Sequence, residues 1–102
     1  MATRTDILTI LRREKELLTR EYHVSDLALF GSQARGDATE SSDIDVLVKF
    51  EGPVPLEVKE AAREHLKVTL ETAFRRKVEV IDEDTIFMPI IRKIIKSGAL
   101  YA

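Results

Sequence analysis

Leu27-Ala28-Leu29-Phe30-Gly31-Ser32-Gln33-Ala34-Arg35-Gly36-Asp37-Ala38, running on to Ser42-Asp43-Ile44-Asp45-Val46-Leu47-Val48, is the stretch whose reading decides the fold. Its two apolar runs, Leu27 to Phe30 and Ile44 to Val48, have the length and the branched or aromatic content of buried strands. A small-residue turn and a short polar segment separate them. On a strand, residues i and i+2 point to one face, so Asp43 and Asp45 project together while Ile44 and Val46 pack behind. Two like charges side by side repel, and one carboxyl is driven to keep its proton unless a cation lies between them. The pattern asks for a metal ion.

Working outward, Thr3 to Tyr22 reads as a first helix. Thr3 or Thr5 can cap it, Asp6 suits its positive end, and Ile7, Leu8, Leu11, Leu17 and Leu18 fall near helical spacing. Arg12, Arg13, Lys15, Glu16 and Arg20 mostly face water, although Arg12-Arg13 could also contact phosphate; His23 ends the helix. The first strand is Val24 to Phe30, a helical turn spans Ser32 to about Gly36, and Asp37 to Ser42 is a polar loop. The second strand is Asp43 to Phe50. The length of the connection allows the two strands to run either way.

Glu51-Gly52-Pro53-Val54-Pro55 is a breaker cluster, after which a long helix runs from about Leu56 to Phe74. Val58, Ala62, Leu66, Leu70 and Ala73 form its apolar stripe. His65 has no second histidine one turn away and reads as a surface residue, not a metal ligand. Val78 to Ile81 is a third strand, with Val78 and Val80 on one face and Glu79 on the other. Asp82-Glu83-Asp84-Thr85 forms an acidic turn that caps a last helix, Ile86 to Ser97, with Pro89 near its start and Gly98 as C-cap. That helix holds Ile86, Phe87, Met88, Ile90, Ile91, Ile94 and Ile95, too many for one narrow stripe. Either it is deeply buried or part of it docks on a partner chain.

With 102 residues, 44% of them hydrophobic, the chain is expected to form one domain over residues 1–102. There is no cysteine, which excludes disulfides, thiolate zinc sites and thiol nucleophiles. No apolar run approaches the roughly 20 residues of a membrane helix, and the N-terminus is polar, so a cytoplasmic protein without a membrane partner is expected. A net charge of −2 argues against broad capture of nucleic acid but leaves room for a local phosphate site.

Gly31-Ser32, ten residues, then Asp43-x-Asp45 resembles the signature of the DNA polymerase β-like nucleotidyltransferases. The longer run Leu29-Phe30-Gly31-Ser32-x-Ala34-Arg35-Gly36-Asp37-Ala38 with Ser42-Asp43-Ile44-Asp45 is similar to the minimal nucleotidyltransferase (MNT) proteins of bacteria and archaea. The resemblance reaches from the first helix to the end of the chain. It implies an α/β fold: a nucleotidyltransferase palm, a small mixed sheet with helices packed on one face and the metal cleft on the other.

The residue types suit that chemistry. Gly31 has no Cβ, so a triphosphate can approach the backbone, and Ser32 offers a hydroxyl and an N–H to phosphate. Asp43 and Asp45 are hard oxygen ligands for Mg²⁺, two ions being expected in such a site. The resemblance implies a third carboxylate on a neighbouring strand. Glu79 in Val78-Glu79-Val80-Ile81 takes that place, as ligand or as base, although it is one methylene longer than the family's usual aspartate. Asp82 is the fallback, on the opposite strand face. Arg35 either contacts phosphate or pairs with Asp37 or Glu40 to hold the loop.

By resemblance, then, the chain transfers AMP from ATP to a hydroxyl, with pyrophosphate leaving. MNT proteins typically pair with HEPN-domain proteins encoded beside them and act as antitoxins that adenylylate a tyrosine of the HEPN ribonuclease. Two alternatives stand beside this reading: transfer to a small-molecule hydroxyl such as an antibiotic, and a non-catalytic antitoxin that masks its partner. The sequence leaves open whether the assembly is hetero- or homo-oligomeric, and whether Tyr22 or Tyr101 is itself modified.

Overall fold

The computed structural model describes residues 3–102. Helix α1 (Arg4–Tyr22) opens with a capping box: the Thr3 hydroxyl accepts from the Asp6 N–H, and the Asp6 carboxylate accepts from the Thr3 N–H. It buries Ile7, Leu8, Leu11 and Leu18, while Leu17 is only half-buried. His23 ends it in the left-handed region, at φ 60°. Strand β1 (Val24–Phe30) follows, then the single turn α2 (Ser32–Arg35) and strand β2 (Ile44–Phe50). β1 and β2 are antiparallel, which settles the direction that connection length left open.

Helix α3 (Leu56–Phe74) carries the chain back across the sheet, so that β3 (Val78–Asp82) lies parallel to β2. Parallel neighbours need a crossover of this length. α3 buries Ala62, Leu66 and Leu70; Phe74, not Ala73, extends its apolar face onto the core. The chain ends in helix α4 (Pro89–Ser97) and a two-residue strand β4 (Leu100–Tyr101) that pairs antiparallel with β1. The four-stranded sheet has the order β3-β2-β1-β4. α1 and α3 pack on one face, over Val24, Leu27, Leu29, Ile44, Val46, Val48, Phe50, Val78 and Val80, all in one core. The α/β class and the mixed sheet agree with the sequence reading.

Several expectations need correction at the C-terminal end. The last helix begins at Pro89, not Ile86, because the acidic turn is spent on a separate 3₁₀ turn, Glu83–Thr85. The Asp82 carboxylate caps that turn through the Asp84 N–H, leaving α4 with no side-chain N-cap. Pro89 takes the first helical position, where its missing N–H costs nothing. β4 has too few residues to announce itself by alternation. α4 is also not a buried helix, since none of its residues is buried. His65 is half-buried between the long helices, its Nε2 2.9 Å from Glu14 Oε2, and is paired instead of solvated.

Candidate active site

Three segments converge at the end of the sheet where β1 stops and β2 and β3 begin. In register, Asp45 lies between Phe30 of β1 and Glu79 of β3. Because Ile44, Val46, Val78 and Val80 belong to the core under α1 and α3, strand alternation sends Asp45 and Glu79 to the opposite face. Asp43 immediately precedes β2 and is half-buried beside them. The sheet therefore sets Asp45 and Glu79 side by side on one face, with Asp43 just before Asp45 in the chain.

The turn after β1 is built to meet Asp45. Gly31 adopts φ 72°, ψ −149°, a conformation that side-chain-bearing residues rarely hold, and a Cβ there would collide with Asp45 Oδ2. Gly31 thus lets the chain pass directly over the carboxylate. Ser32 begins α2, whose one turn is closed by the Arg35 N–H on Gly31 O at 3.0 Å, and Gly36 ends it at φ 86°.

Charge at the site is unbalanced towards the negative. The Asp45 carboxyl is held above its ordinary value, first by burial, then by the charges of Asp43 and Glu79; the Arg35 guanidinium opposes this. Arg35 also pairs with Asp37, Nε to Oδ2 3.3 Å, with both side chains well exposed. It is both a loop tie and a cation within reach of Asp45. Glu79 is turned towards Lys77, at 3.4 Å. Among the described residues, no three acidic or histidine side chains already converge on one point. The donor set nonetheless suits a hard divalent cation: carboxylate oxygens only, repelling one another.

Asp82, the fallback ligand, is elsewhere. It lies buried on the helix side of the sheet, where Lys59 Nζ approaches its Oδ2 to 3.1 Å. The sequence reading missed the residues that hold the site in place. Arg76 Nη1 donates to Thr39 O at 2.7 Å and Ser42 O at 3.2 Å, fixing the loop that delivers Asp43. Arg4 Nη1 donates to Ala34 O at 2.9 Å and ties α2 to α1. A basic cluster at residues 75–77 was the available signal for Arg76. Its pairing with loop carbonyls needs the fold.

A carboxylate-lined edge on a mixed sheet, with a glycine-serine turn passing over it, is the layout of a nucleotidyltransferase palm. The nucleotidyltransferase domain family matches residues 7–101. A Methanocaldococcus jannaschii relative, MJ1379, provisionally named a protein adenylyltransferase, is 38% identical over 99% of both chains. A solved structure described provisionally as a minimal nucleotidyltransferase superposes with a TM-score of 0.74 at 27% identity, covering 97% of this chain and 95% of that one. A structure of a tri-AMPylated Shewanella oneidensis HEPN toxin in complex with its MNT antitoxin shares the fold, with a TM-score of 0.56 at 18% identity over 91% of this chain and 69% of that one. The chain belongs to the nucleotidyltransferase domain family, and within it to the minimal nucleotidyltransferases; it is a nucleotidyl-transferring enzyme.

Proposed function

We propose that the chain transfers AMP from ATP to a hydroxyl of a partner protein, and that the partner is a HEPN-domain ribonuclease encoded beside it, which the transfer silences. The observation that carries the reading is the register of Asp45 between Glu79 and the Gly31 turn, with Asp43 at the strand's mouth. The relative named as a protein adenylyltransferase and the AMP-modified HEPN toxin held by an MNT antitoxin support the choice of acceptor.

In this reading Gly31 and Ser32 receive the triphosphate, and Arg35 faces its negative charge. Asp43, Asp45 and Glu79 would hold Mg²⁺, which when bound neutralises the phosphates and the charge that builds on attack. The acceptor oxygen bonds to the α-phosphorus, the bond from that phosphorus to the bridging oxygen of the β-phosphate breaks, and pyrophosphate leaves. Glu79, exposed and at the rim, takes the hydroxyl proton. The Asp45 carboxyl is held above its ordinary value first by burial and then by Asp43 and Glu79, and a cation beside it would offset both.

The test is incubation with α-labelled ATP, Mg²⁺ and the neighbouring gene's product. Label is expected on a tyrosine of that protein and absent with Asp43→Asn/Asp45→Asn. Label that persists in the double variant would sink the assignment. If that variant still neutralises the partner fully in cells, masking and not transfer is the mechanism.

A further inference from the structure

Helix α4 is attached to the body by the side that would ordinarily face water. Arg92 Nη2 donates to Glu83 O at 3.2 Å and to Ile86 O at 2.9 Å, and Lys96 Nζ lies 2.9 Å from the buried Glu83 carboxylate. The opposite side of the helix and its approach carry Phe87, Met88, Ile90 and Ile94, between 61% and 88% exposed. Lys96 also lies within reach of the Asp26 carboxylate. Asp26 lies on the strand face away from α1 and α3. Through Lys96, α4 therefore reaches the same sheet face as the candidate carboxylates, with Ile90, Ile91 and Ile94 turned outward and Ile95 half-buried.

We infer that this outward face of α4 is where the acceptor protein docks, and that the docking segment is an amphipathic helix whose apolar stripe is flanked by carboxylates. The inference rests on the protein-acceptor reading above. The charge of the region selects the occupant. The exposed Lys93 stands beside the apolar face, and no side chain from Ile86 to Ala102 is a carboxylate, whereas the chain as a whole is at −2; Arg92 and Lys96 are already engaged with Glu83 and Ile86. A groove of about 570 Å³ runs along the flank of that face from Ile86, Phe87 and Pro89 to Lys96 and Ser97, with Lys93 on its wall. Such a groove accepts an aliphatic or aromatic anchor next to Asp or Glu. A second copy of this chain seated face to face would bring lysine against lysine, so self-pairing is disfavoured.

The experiment measures binding and transfer separately, using the full chain and a ribonuclease-dead form of the HEPN-domain protein encoded beside it. Ile90→Glu/Ile94→Glu should weaken calorimetric binding by about 30-fold or more, while its melting temperature and its affinity for a fluorescent ATP analogue stay unchanged. Lys93→Glu should weaken binding several-fold and flatten its salt dependence. Asp43→Asn/Asp45→Asn should bind the partner like wild type and transfer nothing. Binding that depends on α4 without any transfer would therefore overturn the catalytic reading and leave the docking surface standing. Two outcomes overturn the docking surface alone: wild-type binding by Ile90→Glu/Ile94→Glu, or a wild-type dimer in sedimentation that Ile90→Glu/Ile94→Glu dissociates; no binding of the HEPN-domain protein by the wild-type chain overturns the choice of partner and the docking surface with it.

Discussion

Gly31 and Asp45 depend on one another. The glycine holds a left-handed φ, and the space its missing Cβ would fill belongs to the Asp45 carboxylate. Gly31→Ala is expected to lower stability by about 1–3 kcal/mol, the cost of a strained backbone position, and to reduce transfer by displacing Asp45. Urea melts and initial rates check both. Asp45 itself is expected to trade stability against activity. Its folded pKa is above the ordinary 3.8 because of burial, then Asp43 and Glu79. The folded state thus holds the proton more tightly than the unfolded chain, and this group's contribution to stability falls as pH rises from about its ordinary value through the raised one. Without divalent cation, Asp45→Asn should melt higher than wild type at neutral pH and lose that advantage at pH 3. With Mg²⁺ and ATP, its transfer rate should fall by ~10² or more, the order seen on removing one group that stabilises transition-state charge. A cation-free melt at neutral pH that is unchanged or lower for Asp45→Asn would contradict the electrostatic account.

At the scale of elements, α3 is the crossover that makes β3 parallel to β2 and so sets Glu79 beside Asp45. Leu66 and Leu70 are fully buried under it. Leu66→Ala is expected to cost about 2–5 kcal/mol, the range for deleting a buried leucine side chain, measurable by chemical denaturation. Where the variant remains folded, transfer should survive, because the carboxylates are on the other face. The free edge of β3 is partly covered from the same helix: Arg63 Nε donates to Val80 O at 3.2 Å, and Glu71 Oε2 accepts from the Val78 N–H at 3.1 Å. Side chains that occupy edge groups discourage pairing with another strand. Arg76 works on the loop before β2. Arg76→Ala should leave the core intact and reduce transfer, with Asp43 less firmly placed, and amide exchange of residues 39–43 should quicken.

Across the whole molecule, one sheet face is closed by α1 and α3 while the other carries the carboxylates and α4. No helix among the described residues is long and apolar enough to cross a membrane. A ligand that binds only the folded state stabilises it by about 2.7 kcal/mol at a hundred times its Kd. That corresponds to a shift of more than ~10 °C in a domain of this size. ATP with Mg²⁺ should therefore raise the melting temperature of wild type by that order, and should raise that of Asp43→Asn/Asp45→Asn far less. Equal shifts in the two proteins would place the nucleotide away from these aspartates.

Local chemistry along the chain was enough to define most of the architecture. β1 and α3 have the very bounds that apolar runs, glycines and prolines mark out, and Thr3 caps α1 as its side chain requires. The spacing of Gly31, Ser32, Asp43 and Asp45 named the candidate site, because strand alternation is a short-range rule. Contacts between distant segments were another matter. Strand direction, the register that sets Glu79 opposite Asp45, the Arg76 ties to loop carbonyls and the brief β4 all depend on where remote residues come to rest. The same holds for α4. Its apolar residues left deep burial and docking both open; only the fold decided that Glu83 would be buried, so that Lys96 and Arg92 turn inward to it and Ile90, Ile91 and Ile94 turn out. A buried carboxylate needs a cation more than an isoleucine needs shelter.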